Sequence, residues 1–233
     1  MQPLITICAR KGSKGLPGKN TKFFNGKPLI NWTIETALDW GAGPIVVSSD
    51  DPAVRDIFGE YMSGNIFFDE RPAKLARDDT PKLEVLRHIL YKWGGLSPYI
   101  VDLDPTNPCR TVGDLADGNE IFEDSLCKTL ISVIEAKKNP YMNQLVFSNG
   151  TFVLPCQLPA IITQRQDAPI VWDVNSNIYF YDAQWLLRDT KNSCVTNKTD
   201  VFLMPDYAFC DIDNEVDFEI AEFLHRKYYL RGK

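Results

Sequence analysis

Through the first half of the chain, short apolar runs alternate with amphipathic stretches, and this alternation restricts the fold more than any other feature. The runs at residues 4–8, 44–48, 99–103 and 130–134 are too short for core helices and too uniformly apolar for strands with one wet face. They read as strands buried on both sides, with a weaker strand at 65–68. Residues 28–40, 52–62, 81–93 and 112–124 carry helical patterning between them. Pro28, Pro52 and Pro81 are expected in first turns, where a missing N–H costs nothing. Such alternation predicts an α/β fold: a Rossmann-like three-layer sandwich with a mostly parallel sheet.

The pattern changes after residue 136. Residues 137–175 are rich in Asn, Gln and Pro, and extended pieces at 144–148 and 151–154 flank the turn pair Asn149-Gly150. They predict a protruding β-rich arm over 138–170, inserted within a single domain spanning 1–233. Val146, Phe147, Phe152, Val153 and Leu154 are apolar residues that a lone hairpin cannot bury, so the arm needs a partner. Strands at 177–181 and 201–204, a short helix at 183–189 and a closing helix at 216–229 complete the reading.

No apolar run approaches the roughly 20 residues of a membrane-spanning helix, and no signal-peptide pattern precedes the first strand. The chain is therefore expected in the cytoplasm, without a membrane partner. Cys8, Cys109, Cys127, Cys156, Cys194 and Cys210 are scattered and form no CxxC pair, so free thiols are expected rather than disulfides or zinc. His88 and His225 read as helix residues without a chemical role.

A net charge of −6 argues against nucleic acid as a partner. The charge is unevenly spread, however. Residues 1–34 hold six bases (Arg10, Lys11, Lys14, Lys19, Lys22, Lys27) and no acid, whereas residues 206–222 hold seven acids and no base. A basic glycine-rich loop in an acidic chain points to a local anion site, and the acid cluster to a divalent cation. Together they suggest metal-assisted chemistry on a polyphosphate.

The basic loop, ARKGSKGLPGKN at residues 9–20, follows the first strand directly, at the strand end where α/β sheets bind ligands. Gly12, Gly15 and Gly18 let backbone N–H groups turn toward an anion. Arg10, Lys14 and Lys19 supply positive charge and Ser13 a hydroxyl. Neither the Walker A pattern nor G-x-G-x-x-G occurs. The plainer alternative is a solvated basic loop. Asp211 and Asp213 alternate along an extended segment, which puts two hard oxygen donors on one side, as Mg²⁺ prefers. The alternative, favourable placement at the N-terminus of the last helix, suits Glu215 and Asp217 better.

These residues carry a resemblance. Arg10, Ser13, Lys14, Lys19 and Asn20 match the R-x-x-S-K-x-x-x-x-K-N signature of the CMP-acylneuraminate synthetases, the cytidylyltransferases that activate sialic acids. GKPLINWTIETA (26–37), VVSSDD (46–51), RPAKLARDDTPKLEVL (71–86) and DIDNEVDFEIAE (211–222) resemble further segments of that family, in order. Lys11 replaces a glycine common there. Where sialic acid synthetases carry Q-P-T-S-P-L-R, this chain has DPTNPCR at 104–110. That stretch, with AKKNPYMN (136–143) and QRQDAPIVWDVNSNIY (164–179), is more similar to the subgroup that activates legionaminic acid.

The resemblance implies transfer of CMP from CTP to the anomeric hydroxyl of a nine-carbon nonulosonic acid, with Mg²⁺ and release of pyrophosphate. It assigns catalytic charge stabilisation to Arg10, Lys14 and Lys19. The nucleotide is expected against Arg10, Ser13, Lys14, Lys19, Asn20, Arg71, Asp79 and Thr80, and the metal on Asp211 and Asp213. For Thr80 a helix cap ahead of Pro81 is an equally simple role. The sugar is expected against Asp104, Thr106, Arg165, Gln166, Asn175 and Tyr179, with Arg165 placed to take its carboxylate and Gln164 and Asp173 as further donors or acceptors. The family resemblance also implies a homodimer in which the arm of one copy reaches over the site of the other. N-acetylneuraminate, pseudaminate and Kdo remain alternative sugars. A nucleotide-sugar-binding regulator without chemistry is the alternative of another class.

Overall fold

The computed structural model describes residues 2–12, 14–62, 64–158, 162 and 164–230. In chain order its strands are β1 (Leu4–Cys8), β2 (Phe23–Phe24), β3 (Lys27–Pro28), β4 (Ile45–Ser49), β5 (Ile66–Glu70), β6 (Tyr99–Leu103), β7 (Thr129–Glu135), β8 (Val146–Ser148), β9 (Thr151–Val153), β10 (Trp172–Asp182) and β11 (Thr199–Leu203). The helices are α1 (Leu29–Trp40), α2 (Pro52–Phe58), α3 (Lys82–Trp93), α4 (Val112–Asp124), α5 (Ala183–Arg188) and α6 (Glu215–Tyr228).

Among the described residues the main sheet has the order β11-β7-β10-β6-β1-β4-β5. Every residue of β1, β4 and β6 is buried, which is why these segments read as short, mostly apolar runs. β1 pairs in parallel with both β4 and β6, and β5 extends the sheet from β4. β10 runs antiparallel between β6 and β7, the exception in a mostly parallel sheet. Its register with β7 shifts between Val174 and Tyr179, and Ser176 within the shift has a φ of 50°.

Two helical layers cover the sheet. On one face Ile30 and Ile34 of α1, Phe58 of α2 and Leu115 of α4 pack with Ile5, Val47 and Leu103. On the other, Leu86 and Ile89 of α3 and Leu186 of α5 pack with Leu4, Val46 and Ile100. This is the expected three-layer sandwich. α6 closes a third cluster, setting Phe218 and Ala221 on Leu16, Phe24 and Ile212. It begins with a capping box between Asn214 and Asp217. His225, buried on its inner side, stacks its ring on Tyr229 and meets Trp32 edge-on.

Some local expectations need correction. The β2–β3 hairpin is an addition to the expected elements, although Asn25-Gly26, at φ 46° and 95°, is a strong hairpin signal. Only Pro52 opens a helix from its first turn; Pro28 and Pro81 stand one residue earlier with extended ψ of 141° and 136°. Pro81 therefore takes the cap position suggested for Thr80, whose hydroxyl instead donates to the Lys74 carbonyl at 3.3 Å. The helix expected over 52–62 ends as an α-helix at Phe58 and continues as a 3-10 turn, Gly59–Tyr61.

One glycine marks how closely α4 approaches the sheet. A Cβ on Gly118 would lie 2.9 Å from the Phe180 ring and 3.0 Å from that of Phe202. Gly118→Val should therefore force both rings to shift and lower stability by about 2 kcal/mol, the scale of core overpacking. Urea denaturation of the variant beside the parent measures this.

Candidate active site

β1, β4, β5 and β6 run parallel, so their carboxyl ends share one edge of the sheet, and a cleft of about 620 Å³ opens there. Its lining includes Arg10, Lys14, Lys19 and Asn20 from the loop after β1, and Arg71 and Thr80 from the segment after β5. Asp104 and Thr106 follow β6, and Asp211 and Asp213 precede α6. Residues far apart in sequence are thus brought to one place by parallel strand order.

The two ends of the chain meet at a backbone contact. A Cβ on Gly15 would lie 2.2 Å from the Asp213 carbonyl oxygen, so only glycine permits this approach. Lys19, its side chain 13% exposed, donates to the Ile212 carbonyl at 2.6 Å and to Asp213 Oδ1 at 3.1 Å. Arg10 is ion-paired with Asp78, and Lys14 Nζ lies 2.6 Å from the same carboxylate. Hydrogen bonds from Lys14 and Arg10 hold the Asp78 carboxyl below the ordinary range. Asp78 thus occupies the basic loop as an internal anion.

Deeper in the cleft, Lys82 Nζ sits 3.0 Å from Asp102 Oδ2 and 3.6 Å from Asp104 Oδ2. Burial opposes its charge, but the two carboxylates prevail and raise its pKa. Asp104 is likewise disfavoured by burial, yet Lys82, Thr106 and Arg110 keep its carboxyl below the usual range. The Thr106 hydroxyl lies 2.8 Å from Asp104 Oδ1 and 2.6 Å from Asp211 Oδ1. One hydroxyl has one proton for two carboxylates, so acceptor capacity is left over for a cation. Burial, with Asp104 adding repulsion, pushes the Asp211 carboxyl up. Among the described residues no three His, Cys, Asp or Glu side chains form a ready metal cage. Asp211 and Asp213 fit instead a hard cation that takes one or two carboxylates and completes its shell with phosphate oxygens and water. Cys8 also lines the cleft, but burial pushes its thiol up to about 12, so it is no nucleophile near neutral pH.

Arg71 is buried at the end of β5. Nε donates to Ser48 Oγ at 3.2 Å and Nη2 to the Ser48 carbonyl at 2.8 Å, so one edge of the guanidinium is fixed. Asn20 is buried too: its amide N–H donates to the Arg10 carbonyl at 3.4 Å, and its Oδ1 has no partner among the described residues.

Several expected residues lie elsewhere. Asp79 is exposed and paired with Arg77, at 2.8 Å; the neighbouring Asp78 is the one that faces the cleft. Asn175 is buried behind the site, its Oδ1 accepting from Ser132 at 2.6 Å and its Nδ2 donating to the Ala208 carbonyl at 3.0 Å. Tyr179 packs beside Tyr181 in the core next to α3 and α5, and burial pushes its hydroxyl up to about 12. Arg165 and Gln166 are exposed on a 3-10 turn, Arg165–Asp167, outside the cleft of their own chain, as are Gln164 and Asp173. Ser13 lies outside the described residues. Lys82, Asp78 and Asp102 join the site although sequence reasoning did not single them out. Lys82 and Asp78 stand within the 71–86 segment and Asp102 two residues before Asp104, but only the fold shows that they converge.

A parallel sheet with its ligand cleft at the strand ends, a cationic loop on one wall and carboxylates on the other, defines a nucleotide-processing α/β protein. The cytidylyltransferase family profile matches residues 4–149, and the chain belongs to that family of nucleotidyltransferases. Post-translational flagellin modification protein B of Campylobacter coli is 32% identical over 99% of this chain and 97% of its own length. The CMP-N,N′-diacetyllegionaminic acid synthase of Campylobacter jejuni is 34% identical over 95% of this chain and 94% of its own. A solved structure of CMP:2-keto-3-deoxy-manno-octonic acid synthetase complexed with CTP shares the fold, with a TM-score of 0.68 at 18% identity over 97% of this chain and 99% of that one.

The contrast between adjacent aspartates is testable. Asp78→Asn should release Arg10 and Lys14 and lower the KM for the nucleotide triphosphate, an effect that fades as salt screens the loop. Asp79→Asn should leave KM unchanged. Steady-state kinetics of both variants at two ionic strengths would separate them.

Proposed function

We propose that this chain transfers CMP from CTP to the anomeric hydroxyl of a nonulosonic acid of the legionaminic type. The observation that carries this reading is the cleft itself, in which the basic loop at 10–20 faces Asp104, Asp211 and Asp213. The near full-length likeness to the Campylobacter legionaminic acid synthase supports the choice of sugar.

In this reading Arg10, Lys14 and Lys19 exchange their carboxylate partners for triphosphate oxygens. Lys19 is already oriented by the Ile212 carbonyl, so little side-chain freedom is lost when the nucleotide binds. Arg71 presents its free end to the cytosine, beside Thr80. Asn20 Oδ1 accepts from a nucleotide hydroxyl. The hydroxyl oxygen of the sugar attacks the α-phosphorus, the bond to the bridging oxygen of the β-phosphate breaks, pyrophosphate leaves, and the hydroxyl proton passes to water. Fixed positive charge around the departing pyrophosphate lowers the barrier, as in other phosphoryl-type transfers. Asp211 and Asp213 would hold Mg²⁺, which neutralises phosphate charge and acidifies a nearby hydroxyl. Asp104, satisfied by Thr106 and Lys82, shapes the sugar end through that pair rather than as a free carboxylate.

We further propose a homodimer. Phe147 and Phe152 face each other across the β8–β9 hairpin at 5.1 Å and are each 67% exposed, while Val153 and Leu154 are half-buried. Ile170, Trp172 and Val174 add exposed apolar surface on the following segment. A second copy seated there would bring arm residues such as Arg165 and Gln166 toward a partner's cleft. The six free cysteines suit a reducing cytoplasm, and no helix among the described residues is long and apolar enough to cross a membrane.

Pyrophosphate release with CTP and Mg²⁺ tests the reaction. N,N′-diacetyllegionaminate should give the highest kcat/KM, ahead of pseudaminate, N-acetylneuraminate and Kdo, and EDTA should abolish turnover until Mg²⁺ is restored. A faster reaction with N-acetylneuraminate would keep the chemistry and reject the sugar. Binding of CTP without turnover on any of the four would favour a regulator. For the dimer, Phe147→Ser/Phe152→Ser should halve the mass seen by light scattering at micromolar concentration. A parent protein that is already monomeric would reject this part.

A further inference from the structure

Asp69, the second-last residue of β5, is completely buried, as is Ser48, its cross-strand partner on β4. A carboxylate in such a place is costly, and an apolar residue would serve packing as well or better. The charge is nonetheless kept. Burial works against it, but Lys92 Nζ at 2.7 Å, Trp93 Nε1 at 3.2 Å and Ser48 Oγ at 3.0 Å outweigh that, and the carboxyl lies below its ordinary range. The His88 ring from the same helix stands 3.6 Å away. α3 thus supplies the counter-charge on Oδ1, while Oδ2 is turned to Ser48.

Donor chemistry gives this contact a direction. An arginine Nε–H can only donate, so the 3.2 Å bond from Arg71 uses a lone pair of Ser48 Oγ. The single hydroxyl proton of Ser48 is therefore committed to Asp69 Oδ2. With Nη2 on the Ser48 carbonyl, the whole Nε/Nη2 edge rests on one residue, and Nη1 has no partner among the described residues. We propose that Asp69 is a positioning residue for the nucleotide: through Ser48 it fixes the orientation in which Arg71 offers its free end to the base. The relay runs from Lys92 and Trp93 through Asp69 and Ser48 to Arg71, from the outer helix to the cleft. It rests on the reading of Arg71 as the cytosine contact. An Asn at 69 would let an amide N–H face Ser48, turn the hydroxyl proton toward Arg71 and set two donors against each other.

Calorimetric titration with CTP and with UTP, in Mg²⁺ buffer, tests the relay without needing a sugar substrate. Asp69→Asn and Ser48→Ala should each weaken CTP binding about tenfold, the scale of one positioning hydrogen bond. Both should narrow the preference for CTP over UTP, which a general loss of stability would not. The double variant should be no worse than the weaker single one, because both act along one path. Folded single variants that bind CTP within about twofold of the parent with unchanged base preference, or losses that multiply in the double variant, would overturn the proposal. If Asp69→Asn does not fold, Ser48→Ala, which leaves the Asp69–Lys92 pair intact, decides by itself between the two outcomes. Arg71→Lys separates the levels. If it keeps full CTP preference, the base-contact reading falls and the relay with it. If it loses that preference while Ser48→Ala and Asp69→Asn retain it, the relay alone falls.

Discussion

The guanidinium of Arg110 is buried in the loop that follows β6, and the geometry of the cleft depends on how it is satisfied. It donates to the Asn177 side chain on β10, to Thr33 on α1 at 3.1 Å, and to the carbonyls of Asp104 and Asn107, the latter at 2.6 Å. Burial pushes its pKa down to about 10, with Asp104 opposing, so it stays charged near neutral pH. A buried charge that lost these acceptors would be heavily penalised, and so the backbone of residues 104–110 has little freedom. Thr106 is held by that loop, and its carbonyl accepts from Ile212 N at 3.0 Å. The Ile212 carbonyl in turn receives Lys19. One path of hydrogen bonds therefore leads from a core arginine through the carboxylate wall of the cleft to its cationic wall.

That path explains why parts of the fold were legible in sequence and others were not. β1, β4 and β6 announce themselves because burial on both faces fills most of their positions with apolar residues, a purely local signature. The place of β10 does not. Its antiparallel insertion between β6 and β7 is decided by partners some 40 to 80 residues distant, through Asn177 on Arg110 and Asn175 on Ser132 and Asn107. Asn175 was expected at the sugar because the resemblance places its segment there and its amide can bond hydroxyl and acylamino groups. Here its amide instead links the Ser132 hydroxyl on β7 to the Ala208 carbonyl.

The same distinction divides the site residues. The cations at 10, 14 and 19 lie on one glycine-rich loop behind a recognisable strand, so position and chemistry could be inferred together. Asp78 and Asp79 could not be told apart, since neighbouring residues in a turn face different ways and only the position of the loop across from them decides which meets a cation. Lys82 was hidden for another reason: it stands in the first turn of an amphipathic helix, where a lysine ordinarily reads as solvated, and only the packing of that helix over β6 and the residue after it brings Asp102 and Asp104 to it. Arg165 and Gln166 are exposed on a 3-10 turn outside the cleft of their own chain, so the fold of this chain does not bring them to the other site residues.

A chain of net charge −6 that holds a cationic cleft faces an electrostatic conflict, since bare cations would attract any polyanion. The cleft resolves it by pairing: Arg10 and Lys14 with Asp78, Lys19 with Asp213, Lys82 with Asp102 and Asp104. In the proposed reading, nucleotide binding is an exchange of carboxylate for phosphate, and the gain comes from the difference between the two. Exposed Asp78 leaves at little cost, whereas Lys82, tied to a fully enclosed Asp102, does not change partners. The outer pairs are thus suited to exchange with the triphosphate and the inner one to hold shape. Under that reading, the gradient of exposure makes the acidic residues part of the anion site and favours a ligand that can replace several carboxylates at once.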